Sequence, residues 1–84
     1  MTRQVTAEIQ IQDGPLMQIT YSYLVLLDGG EFHVVAWDPE DMKLVLNCPT
    51  SSESEAGVLV RREAMDALNL MVRANMRVRC INCD

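Results

Sequence analysis

Alternation of apolar and polar residues, interrupted at regular intervals by turn signals, constrains this chain more than any other feature. Residues 4–12 set Val5, Ala7, Ile9 and Ile11 on one face and polar side chains on the other, the period of a half-buried strand. Asp13-Gly14-Pro15 ends that run with residues that do not continue a ladder. The next run, Leu16 to Leu27, puts Met17, Ile19, Tyr21, Tyr23, Val25 and Leu27 on one side, and Leu24 and Leu26 make it apolar on the other side too. This predicts a central strand. Asp28-Gly29-Gly30 is a tight-turn signal leading to Glu31–Trp37, which predicts a β-hairpin. Asp38-Pro39-Glu40-Asp41 carries proline at the second turn position and predicts a second hairpin. Its returning strand, Met42 to Cys48, is expected to point Met42, Leu44, Leu46 and Cys48 inward.

Beyond Cys48 the pattern changes. Pro49 to Glu55 is polar and acidic and reads as an exposed loop, although Ser52 with Glu55 also fits a capping box. Gly57, Val58 and Val60 disfavour a helix there on propensity, so a loop and a short extended segment are expected. From Arg61 the period becomes helical: Ala64, Met65, Leu68, Met71 and Val72 recur on one side of an amphipathic helix of about four turns. Asn75 can terminate it, and Met76 to Ile81 alternates again, which predicts a last strand.

The fold class expected is therefore α+β, an antiparallel sheet of four to five strands with one amphipathic helix packed on one face, in the order ββββαβ. With 84 residues the chain has room for one domain, residues 1–84, and a thin stability margin. One helix covers one sheet face only. The central strands are apolar on both faces around Leu24, Leu26, Val35 and Trp37, so a second copy is expected to cover the other face and make a homodimer.

Composition narrows the class of function. The chain is 49 % hydrophobic and 23 % charged, which fits a folded globular domain. No apolar run approaches the ~20 residues of a membrane helix. The start of the chain lacks the pattern of a signal peptide, and the three cysteines do not suit a disulfide framework, so a cytoplasmic location is expected. Net charge is −5, and residues 1–50 account for it, with seven acids against Arg3 and Lys43. Residues 51–84 balance five acids with five arginines. Arg77 and Arg79 with the helix arginines would suit phosphate, but the acidic total works against nucleic acid, which is not expected as a partner.

No spacing in the chain carries a catalytic signature. His33 is the single histidine, with Ser22 and Asp28 as companions by composition only. The four glycines sit at turn-like positions and form no phosphate loop. Asp38, Glu40 and Asp41 cluster without the loop spacing of a calcium site. Cys80 and Cys83 have the spacing of half a zinc site, to which Cys48 and His33 would have to be added by the fold. A thioredoxin-like role is not expected, since no helix is read behind that pair.

By elimination the expected function is that of a non-enzymatic protein-interaction module without a cofactor. It would be an adaptor or inhibitor of the small acidic type found in phage and mobile elements, binding a partner protein through Tyr23, Trp37, Asp38, Glu40 and Asp41. The alternative is a zinc-binding module built on Cys80 and Cys83.

Overall fold

The structure, a computed structural model, describes the backbone of residues 2–82 and the side chains of residues 2–74. Four strands, β1 (Arg3–Gln10), β2 (Leu16–Asp28), β3 (Glu31–Asp38) and β4 (Lys43–Thr50), precede one helix, α1 (Glu53–Asn82). The strands form an antiparallel meander in the order β1-β2-β3-β4, and α1 lies across one face, mainly over β1 and β2. This is the expected α+β class, with element order ββββα.

The turns follow from their residues. Asp13 has φ 59°, and Gly29 and Gly30 have φ 60° and 84°. Two consecutive positive φ values are what a two-residue hairpin turn demands, and glycine meets them without steric cost. At the β3–β4 turn the Asp38 carboxylate accepts a hydrogen bond from the Glu40 backbone N–H at 2.9 Å. The Asp38 carbonyl accepts another from the Met42 N–H at 2.7 Å.

The core lies between sheet and helix. Val5, Ala7, Tyr21, Tyr23, Val34 and Ala36 supply the sheet side, and Ala56, Val60, Ala64 and Leu68 supply the helix side, each of these four fully buried. A spacing of four keeps that stripe on one helix face.

Three expectations are corrected. The expected loop and extended segment before Arg61 is helix from Glu53 onward. Ser52 decides this: its hydroxyl accepts a hydrogen bond from the Glu55 N–H at 3.1 Å, and its carbonyl takes the Ala56 N–H at 3.1 Å. Those two bonds cap the helix and outweigh the weak propensities of Gly57, Val58 and Val60. Gly57 has its own reason to be there, since a Cβ at that position would stand 3.3 Å from the Tyr23 hydroxyl. Ser52→Ala is expected to cost about 1 kcal/mol in chemical denaturation, whereas Ser52→Asp should keep the cap. An unchanged midpoint for the alanine variant would mean that the cap contributes nothing.

The second correction concerns the end of the chain. The last strand expected over Met76 to Ile81 is absent, and the helix runs through position 75 to Asn82. No glycine or proline stands between Val58 and Asn82, so nothing in the backbone chemistry stops the helix once begun.

The third is in β4. The β3–β4 register shifts between Ala36 and Trp37: Ala36 pairs with Leu46 while Trp37 pairs with Leu44, leaving Val45 as an extra residue. A bulge of one residue reverses the face of everything before it. Leu46 and Cys48 pack against the core as expected, but Leu44 pairs with Trp37 and is 55 % exposed, and Met42 lies before the strand at 74 % exposure.

The sheet is also stepped. β1 pairs with β2 only from Leu16 to Tyr23, and β3 pairs with β2 only from Ser22 to Asp28. The 13-residue β2 thus serves two half-sheets that overlap only at Ser22 and Tyr23.

Candidate functional site

The sheet face turned away from α1 divides into two zones. Toward β1 it is polar: Thr6 and Thr20 share a hydrogen bond of 2.9 Å between hydroxyls, and the Gln18 amide donates to the Glu8 carboxylate at 3.1 Å. Toward β3 and β4 it is apolar. The register aligns Trp37 with Ser22 and Leu44, Val35 with Leu24, and His33 with Leu26. Leu24, Val35 and Trp37 are half-buried, and Leu26 is 48 % exposed. His33 is hydrogen-bonded through Nε2 to the Asn47 amide oxygen. No element among the described residues lies over this zone.

The residues expected to bind a partner are not gathered on one surface. Trp37 belongs to the open face, and Asp38, Glu40 and Asp41 form the β3–β4 turn beside it. Tyr23 is elsewhere: it is 7 % exposed and lies beneath the first turns of α1, next to Gly57. Arg3 closes that spot from the side with an ion pair to Glu53 at 3.1 Å. The Glu53 carboxylate and then the Tyr23 phenol hold the Arg3 guanidinium above its ordinary pKa. Tyr23 is a core residue with almost no surface to offer a partner.

Ser22 and His33 are not brought together either. Ser22 pairs with Trp37 and His33 with Leu26, which separates them by about 13 Å along the sheet. Cys80 and Cys83 lie outside the residues whose side chains are described. Among the described residues no three histidine, cysteine or acidic side chains converge as a metal site. No helix among them is long and apolar enough to cross a membrane.

The step in the sheet creates a feature that strand-by-strand reading of the sequence missed. Where β2 runs on past the end of β3, a cleft of about 390 Å³ opens between Gln18–Tyr21 and the Asp38–Glu40 turn, with Met71 of α1 on its flank. Tyr21 lines it, and burial, then the charges of Glu63 and Asp38, raise the pKa of its phenol. The signal was present as a mismatch in run length, because the second apolar run is longer than either neighbour.

Comparison with known protein families, characterised proteins and solved structures finds no match to this chain.

Proposed function

We propose that this chain is a non-enzymatic protein-interaction module, an adaptor or inhibitor, which pairs with a second copy through its open sheet face and meets its partner with the acidic β3–β4 turns. One observation carries the proposal: the apolar zone of Leu24, Leu26, Val35, Trp37 and Leu44 has helix cover only on the far side of the sheet. An apolar patch rimmed by Thr6, Glu8 and Gln18 is the usual mark of a surface that is covered in use. A two-fold pair brings the same patch from both copies, so Trp37 and Leu26 of each chain meet like residues without any further complementarity. Such a pair leaves Asp38, Glu40 and Asp41 at its margin, where like charges favour a basic partner over an acidic one. A small chain also gains from association the stability that its own core supplies only narrowly.

Light scattering at micromolar concentration tests the pairing. Twice the 9.5 kDa of one chain is the expected mass. Leu26→Glu should return it to one chain with an unchanged circular dichroism spectrum, because that side chain is half exposed in the single copy and its loss opens no core cavity. A single-chain mass for the unmodified protein at every concentration rejects the dimer.

A further inference from the structure

The cleft beside the β3–β4 turn combines three features that point to one kind of ligand. Gln18, Ile19 and Thr20 have a strand neighbour on their β1 side, while the β2–β3 register ends at Ser22, so no strand faces them on the other side. Backbone groups in such an edge are spaced to accept another extended chain. Asp38 and Glu40 stand across the cleft. One Asp38 oxygen is occupied by the Glu40 N–H, which leaves the second oxygen and the Glu40 carboxylate as acceptors. Tyr21 is the third feature. It is more than nine-tenths buried, yet its hydroxyl has no hydrogen-bond partner among the described residues and is not closed off from solvent. Tyr21 lines this cleft.

We propose that the cleft is a docking site for an extended basic segment of a partner protein, which adds a short strand to Gln18–Thr20 and sets one arginine or lysine against Asp38, Glu40 and the Tyr21 hydroxyl. The chemistry is consistent at each contact. All three oxygens accept hydrogen bonds, and a guanidinium presents several N–H donors in one plane. Ile19 and Met71, the latter 43 % exposed, give the aliphatic stem of such a side chain an apolar wall. The first fifty residues hold the whole of the −5 net charge, so the field around the turn attracts a basic chain and repels an acidic one. Main-chain pairing supplies affinity and the charged pocket supplies selectivity. The site deepens the interaction-module proposal by naming the partner's chemistry, and it does not require the dimer.

The test is an amide-resolved NMR titration of the full chain with a capped peptide, Thr-Val-Arg-Val-Thr, and with its counterpart carrying Glu in place of Arg. The arginine peptide is expected to shift Gln18–Tyr21 and Glu40 and to bind about tenfold or more tightly than the glutamate peptide. D38N with E40Q should remove that preference while keeping the turn, since an asparagine oxygen still accepts the Glu40 N–H. Methylating alternate peptide nitrogens should abolish binding of the arginine peptide. Equal binding of the two peptides, or no shift at millimolar peptide, overturns the proposal. So do shifts confined to Leu24–Leu27, which would place strand addition on the other open edge. Shifts at Gln18–Tyr21 that arise from raising protein concentration alone would assign the cleft to a second copy. Light scattering on the same samples reports the dimer separately, so failure of one proposal is distinguishable from failure of the other.

Discussion

Replacing Leu68 by Ala is expected to lower the free energy of unfolding by roughly 2–4 kcal/mol, the largest loss for any single truncation in the helix stripe. Among the described residues Leu68 is the largest fully buried side chain of α1. The residues that precede it in the stripe, Ala56, Val60 and Ala64, are smaller and equally buried. Its removal leaves a void that Ala64 and the sheet alanines have no length to close. Urea denaturation measures the loss, best in the Leu26→Glu background so that association does not enter the midpoint. A change below about 0.5 kcal/mol, the range of surface substitutions, would show that the stripe does not face the sheet.

Ala64→Leu tests the same interface with volume of the opposite sign, and is expected to cost about 1–3 kcal/mol despite leucine's good helix propensity. Ala64 is fully buried one turn before Leu68, in the same core cluster as Ala7, Ala36 and Tyr21 of the sheet. Three added carbons there must lift the helix or push side chains off their rotamers. Because positions 64 and 68 are adjacent on one face, the double variant Ala64→Leu with Leu68→Ala should lose less than the sum of the two single losses, as the added leucine moves into the vacated space. Strict additivity, or a stabilised Ala64→Leu protein, would mean that α1 is not seated as described.

How much of this was legible beforehand depended on the period of each segment. The strands were legible because period-two alternation and paired turn signals agreed, and which residues share a face, such as Tyr21 with Tyr23 and Val34 with Ala36, followed directly. The helix start was not, because Gly57 and two valines argue locally against a helix, and the counterweight is the Ser52 cap and the contact between Gly57 and Tyr23, a residue far away in sequence. The expected last strand failed for a different reason. Arg77 and Arg79 alternate with Met76 and Val78 in a way that suits either period over so few residues, and continuity with the preceding helix decided between them. Of the expected binding residues, Trp37 and the acidic turn could be placed from the strand pattern. Tyr23 was misplaced for want of knowing which sheet face the helix takes. The cleft at Tyr21 depends on strand ends that do not coincide, and pairing register is not a property of any one strand.

The stepped sheet also sets an order of assembly. Each half closes from sequence-local strands, the kind of contact that forms quickly, and the halves share only the width of Ser22 and Tyr23. The β1 half is a lone two-stranded hairpin, which is marginal in water by itself, while the β3–β4 half has three strands. What joins them is α1, whose first turn is tied to β1 by Arg3 and Glu53, fifty residues apart. The helix therefore acts as a splint laid across a joint, and without it the two halves would be held together only at Ser22 and Tyr23. In native-state hydrogen exchange the β1 hairpin should open together with the first turns of the helix, ahead of the three-stranded half, and the molecule should behave as two foldons held by one clasp.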